Sequence, residues 1–196
     1  MLLILLCIFI AVVVIQFLYY VVFFGKFSFA KPQTSTPKRV PISVIVCAKN
    51  EEENVKNFVP LLAEQNYPDF EIVLIDDASS DETLEVFEAF EKQYSNIKLV
   101  KVENNEAFWG NKKFALTLGI KAAKNEYLLF TDADCYPKSN DWIKEMSAHF
   151  TMKKTIVLGY GAYERISNSF LNKIIRFETL LTATQYFSWA KLGKPY

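Results

Sequence analysis

Residues Glu126–Asp134 read Glu-Tyr-Leu-Leu-Phe-Thr-Asp-Ala-Asp, a short apolar run that stops on two carboxylates. Tyr127–Thr131 has the length and composition of a buried strand, and Asp132 ends it. The same pattern recurs on either side. Ile42–Cys47 reads Ile-Ser-Val-Ile-Val-Cys between Pro41 and Lys49-Asn50. Phe70–Ile75 ends in Asp76-Asp77, and Ile97–Val102 is a third such run. Helical spacing fills the intervals. Val55, Phe58, Val59 and Leu62 share one helix face, and Leu84, Phe87 and Phe90 share another, on a helix starting near Ser80. Asn50 is expected to cap the first of these helices, with Glu53 completing a capping box and Glu51, Glu52 and Glu53 suiting its positive end. A polar loop, Glu103–Gly110, leads to a helix over Asn111–Ala123. A helix over Asp141–Phe150, a strand over Thr155–Leu158 and a long amphipathic helix over Asn168–Lys191 follow. On that last helix Phe170, Ile174, Phe177 and Leu181 form an apolar stripe. Alternating helices and near-continuous apolar strands imply an α/β domain with a mostly parallel sheet covered on both faces.

Before this domain, Leu2–Phe24 is apolar apart from Gln16. As a helix it covers roughly 30 Å, the thickness of a bilayer core. A cleaved leader would show a basic start and a small-residue cleavage site, and neither is present. Tyr19 and Tyr20 suit a membrane interface, and Lys26, Lys31, Lys38 and Arg39 all follow the helix. The positive-inside rule then puts the remainder in the cytoplasm. The expected organisation is a single transmembrane helix over 1–24, a linker over 25–40 rich in Pro, Ser and Thr, and the α/β domain over 41–196.

Composition narrows the chemistry. Lys plus Arg and Asp plus Glu each number 22 in 196 residues, so the formal net charge is +0 and a nucleic-acid partner is not expected. The three cysteines, Cys7, Cys47 and Cys135, have no zinc-site spacing, and their sparse, odd number fits a reducing compartment. His149 is the one histidine and reads as a surface or helix-end residue, which leaves Ser-His-Asp and Cys-His catalysis without a candidate.

In parallel sheets ligands bind beyond the strand C-termini. Polar clusters fall at three of them: Lys49-Asn50-Glu51, Asp76-Asp77 and Asp132-Ala133-Asp134. An isolated Asp-x-Asp is common; one placed directly after a buried strand carries more weight. Two hard oxygen donors suit Mg²⁺ or Mn²⁺ held against phosphate oxygens. Asp76 is expected to be structural and Asp77 to accept hydrogen bonds from a ligand. Lys112 and Lys113 open a helix, where lysine opposes the dipole, and so mark a place for phosphate.

Four segments in this order resemble the glycosyltransferase family 2 signature of the GT-A fold: Ile42–Glu51, Glu71–Thr83, Gly110–Leu116 and Asp132-Ala133-Asp134. The resemblance implies an inverting transfer of a sugar from a nucleotide-diphosphate donor to an acceptor such as a lipid-linked sugar or a polysaccharide. By the same resemblance Cys47, Ala48, Lys49, Asn50, Glu51 and Asp77 contact the nucleoside, and Lys112 or Lys113 serves as the basic position. Asp132 and Asp134 hold the divalent metal, with Asp132 also facing the donor. The family's catalytic base usually lies well beyond its Asp-x-Asp. Beyond the Asp141–Phe150 helix only Glu164 and Glu178 remain as acids, so the base is expected beyond Tyr196 and the chain is expected to be truncated at its C-terminus. Rival readings are a non-catalytic nucleotide-sugar-binding fragment and a GT-A-like nucleotidyltransferase. The latter, like a Rossmann dehydrogenase, would carry a glycine-rich loop after the first strand, and none is present.

Overall fold

The computed structural model describes residues 1–31, 39–103, 112–150 and 156–194. Four strands, β1 (Ile42–Ala48), β2 (Phe70–Asp76), β3 (Ile97–Lys101) and β4 (Tyr127–Asp132), form one parallel sheet in the order β3-β2-β1-β4. Helices α2 (Glu52–Ala63), α3 (Thr83–Gln93), α4 (Lys112–Ala122) and α5 (Trp142–Ser147) belong to the same unit, Ser35–Val157.

Central strand β1 is buried along its whole length because both of its faces are covered. On one face Ile42, Val44, Val46 and Ala48 join Ile72 and Leu74, under Val55, Val59 and Leu62 of α2, Phe87 of α3 and Ile143 of α5. On the other, Ile45, Cys47, Val73 and Ile75 pack with Ala115 of α4. The period-two alternation of a strand divides one apolar run between two cores. Each fully buried aliphatic side chain contributes about 1.5–3 kcal/mol. Gly119 lets α4 seat closely on the sheet, since a Cβ there would lie 2.2 Å from Cδ1 of Ile75.

A polar clasp fixes the opposite sheet edge. Buried Glu71 accepts from Ser43 Oγ at 2.5 Å and from the backbone N–H of Lys124 at 2.6 Å, while Ser43 Oγ accepts from that of Asn125 at 3.2 Å. These bonds tie the entry to β4 beneath β1 and β2, and so help to set where β4 ends.

The second unit, Met1–Thr34 with Leu158–Tyr196, contains α1 (Leu2–Ser28) and α6 (Phe170–Lys191). Helix α1 is apolar on all sides, is exposed from Leu2 to Val22, and is long enough to cross a membrane. Its last turns meet α6: Phe23 packs edge-on against Trp189 at 4.7 Å, and Phe27 stacks on Phe187 at 5.6 Å. Ser169 caps α6 by accepting from the N–H of Asn172 at 3.1 Å. Buried Asn172 accepts from the N–H of Ile166 and donates to the carbonyl of Glu164, which anchors the approach to the helix. The stripe of Phe170, Ile174, Phe177 and Leu181 is exposed.

Three expectations need correction. Asn50 does not cap α2: the N-cap is Glu51, without a side-chain cap bond, and Asn50 takes a left-handed φ of 56°. Helix α3 begins at Thr83 rather than near Ser80 because the intervening loop is committed to bonds described below. Residues 156–158 form no strand, while Thr155 lies outside the described residues. Also outside them are Gly110 and Asn111, most of the loop before α4, and the central part of the 25–40 linker, including Lys38.

Candidate active site

The strand order creates the site. The chain passes from β1 outward to β2 and β3, then crosses back to place β4 on the other side of β1. Such a reversal opens a crevice at the strand C-termini. Parallel register sets Cys47 beside Asp132 and Ala48 beside Asp76, so the polar ends of β1, β2 and β4 share one edge.

Beyond β4 the backbone turns sharply, with the N–H of Cys135 donating to the carbonyl of Asp132 at 3.1 Å. Ala133 is buried beneath the turn, and Asp132, Asp134 and Cys135 are exposed. In extended backbone residues two apart are separated by about 6.5–7 Å. Here a ligating atom from each of Asp132, Asp134 and Cys135 lies within 4.8 Å of the others. That is a donor set one small divalent ion can bridge, and its two hard carboxylates fit Mg²⁺ or Mn²⁺. The Cys135 thiol donates to Asp134 Oδ1 at 3.4 Å. Burial, then that bond, pushes the thiol up to about 11, so it is neutral at physiological pH.

Lys112, the first residue of α4, reaches Asp132 Oδ1 at 2.5 Å. The hydrogen bond to Asp132 raises its ammonium above the usual lysine value, with the charge of Asp134 adding to the effect. Lys112, Asp132, Cys47 and Thr131 line a cleft of about 180 Å³ whose apolar wall is Ile45, Leu116 and Phe130. Burial, followed by the charge of Asp77, pushes the Cys47 thiol up to about 11. Cys47 is therefore a neutral wall residue rather than a nucleophile.

The loops after β1 and β2 brace each other. Asn50 Oδ1 accepts from the N–H of Ser80 at 2.7 Å, while the N–H of Asn50 donates to Ser79 Oγ at 3.0 Å. The N–H of Glu51 donates to Thr83 Oγ1 at 2.9 Å, and that of Glu52 to Asp81 Oδ2 at 3.3 Å. Asp77 is half-buried and donates its N–H to the carbonyl of Ala48 at 2.9 Å. Asp76 is buried; its Oδ2 accepts from the N–H of Ser79 at 3.3 Å.

Thus Cys47, Lys112, Asp132 and Asp134 gather at one edge. Lys49 is exposed at the loop tip, Ala48 is buried in β1, and Asn50 and Glu51 are tied into the loop brace. Lys113 is exposed one residue further along α4. Sequence reasoning missed Ile45, Leu116 and Phe130, which meet only through sheet register and α4 packing. It also missed Cys135, whose place directly after Asp134 was the available signal.

The family model for "Glycosyl transferase family 2" matches residues 43–194. The chain belongs to glycosyltransferase family 2. Its curated relatives include the poly(ribitol-phosphate) β-N-acetylglucosaminyltransferase TarS of Staphylococcus aureus, 34% identical over 48% of this chain and 16% of that protein. Another is the poly-β-1,6-N-acetyl-D-glucosamine synthase of Staphylococcus epidermidis, 38% identical over 47% of this chain and 21% of that protein. The matched region is thus a minor part of each relative's length. Among solved structures, the mannosyltransferase PcManGT of Pyrobaculum calidifontis, in complex with GDP-Man and Mn²⁺, superposes with a TM-score of 0.59. It is 24% identical and covers 71% of this chain and 42% of that one, a likeness of fold. The family 2 domain here therefore has the GT-A architecture expected from its motifs.

Proposed function

We propose that this chain carries the donor-binding part of a membrane-anchored, inverting glycosyltransferase that uses a nucleotide-diphosphate sugar. The observation that carries the reading is the turn after β4, which draws Asp132 and Asp134 together beside Lys112 at the switch point of the sheet. Asp132 and Asp134 hold a divalent ion, Mg²⁺ or Mn²⁺, whose charge offsets the one that develops on the departing diphosphate. Lys112 adds a positive charge at the mouth of the cleft. The loop Cys47–Glu51 and Asp77 face the nucleoside, held by the brace between the two loops. Cys47, Ile45, Leu116 and Phe130 keep one side of the cleft apolar, which strengthens the electrostatics at its mouth.

Helix α1 anchors the chain as a single span, and Lys26 in its last turn, with Lys31 and Arg39 after it, supports a cytoplasmic domain. A polymeric acceptor is supported by the polymers in the names of TarS and of the poly-β-1,6-N-acetyl-D-glucosamine synthase.

Calorimetry tests the donor half directly. Mn²⁺ or Mg²⁺ should tighten UDP or GDP binding, and Asp134→Ala should remove the gain. Equal binding in the presence of a chelator would refute the metal assignment.

A further inference from the structure

Lys112 and a metal ion would compete for the same carboxylate, that of Asp132. Resting on the metal reading of Asp132 and Asp134, we propose that Lys112 is an internal counter-ion, seated on Asp132 until a diphosphate draws it away. Metal and nucleotide diphosphate then bind cooperatively. Lys112 Nζ sits 2.5 Å from Asp132 Oδ1, on one of the carboxylates that the turn gathers within 4.8 Å. Its backbone opens α4, where the dipole disfavours a cation unless an anion stands close. In the nucleotide-free protein that anion is Asp132.

The electrostatics follow from the count of charges. Two carboxylates and one ammonium leave one net negative charge for an incoming dication. An ammonium kept on the same carboxylate repels that ion by about 2 kcal/mol in water at 4 Å, and by more near a low-dielectric wall. The apolar cleft beside the pair supplies such a wall. A diphosphate offers Lys112 a richer set of acceptor oxygens and frees Asp132 for the metal. Reciprocity then requires the metal to improve diphosphate binding by the same factor.

The test measures Mn²⁺ binding to the full chain in detergent micelles, by the electron paramagnetic resonance of free Mn²⁺ and by calorimetry, with and without UDP or GDP. Lys112→Gln should tighten Mn²⁺ binding to the nucleotide-free protein by about thirtyfold. It should weaken nucleotide binding and shrink the factor by which nucleotide improves Mn²⁺ binding. Lys112→Arg should behave as wild type. Both changes fall on an exposed side chain, and a thermal melt checks the fold. Unchanged or weaker Mn²⁺ binding to nucleotide-free Lys112→Gln would overturn the proposal. So would an unchanged coupling factor, since loss of a nearby charge alone tightens Mn²⁺ equally with and without nucleotide. Asp134→Ala separates the two ideas. If it binds Mn²⁺ like wild type, or if wild type binds none, the metal reading fails and the proposal with it. If only the Lys112 variants depart from expectation, the metal reading stands.

Discussion

The carboxylate of Asp81, in the loop after β2, accepts the backbone N–H of Glu52 at 3.3 Å, so the helix after β1 is capped from the neighbouring crossover. Asp81 also accepts from the N–H and the hydroxyl of Thr83 at 3.0 and 2.6 Å. Asp81→Ala should cost about 1–2 kcal/mol, the range for losing a capping side chain. In a chain of this size, thermal denaturation should show a midpoint lower by about 2–8 °C.

The same residue gives a pH dependence. Partial burial pushes the Asp81 carboxyl up, but the bonds from Thr83 and Glu52 outweigh it and hold the group below the ordinary 3.8. Its contribution is therefore present above pH 3.8 and is lost as pH falls through the lower folded-state value. Asp81→Asn should flatten this part of the acid limb in urea titrations. An acid limb identical to wild type would show that Asp81 plays no part in it.

Gly119→Ala should destabilise the sheet domain by about 1–3 kcal/mol, because the added carbon meets a fully buried Ile75 side chain rather than solvent. Combining it with Ile75→Val, which removes the nearest atom, should cost less than the two single changes added together. Simple additivity would mean that α4 shifts to accommodate the methyl.

Cys47 and Cys135 should both react slowly with iodoacetamide. With each thiol raised to about 11, the reactive thiolate is scarce at pH 8. Rates about a hundredfold below that of a free cysteine are expected. Cys135 is exposed, so its inertness would come from acidity and not from access. Peptide mapping after timed alkylation reads both sites.

As the proposed anchor, α1 should keep the chain in the membrane pellet through alkaline carbonate extraction. In intact cells an epitope on the sheet domain should resist external protease. Release by carbonate would count against a spanning helix.

What could be read from the residues divides along a physical line. The strands were legible because Val, Ile and Leu runs buried on both faces leave no other reading, and their acidic ends marked the edge where the candidate site lies. The approach of Asp132 and Asp134 needed only the turn that follows β4. The start of α2 was misread because Asn50-Glu51-Glu52-Glu53 is a persuasive local pattern, whereas the groups that satisfy this helix end, Asp81 and Thr83, lie about thirty residues further along. Asn50 instead adopts a backbone conformation that asparagine tolerates better than most residues, and spends its side chain on Ser80. The apolar wall of Ile45, Leu116 and Phe130 was invisible for a similar reason: three separate elements supply it.

The pairing of Phe23 with Trp189 and of Phe27 with Phe187 also sets an order of events during synthesis. The four described strands, between residues 42 and 132, emerge before α6 does. They can close on local crossovers while α1 still waits for its aromatic partners. Helix α1 is thus made well before its partners, and a ribosome stalled before α6 would leave these strands paired while Phe23 and Phe27 still lacked Trp189 and Phe187.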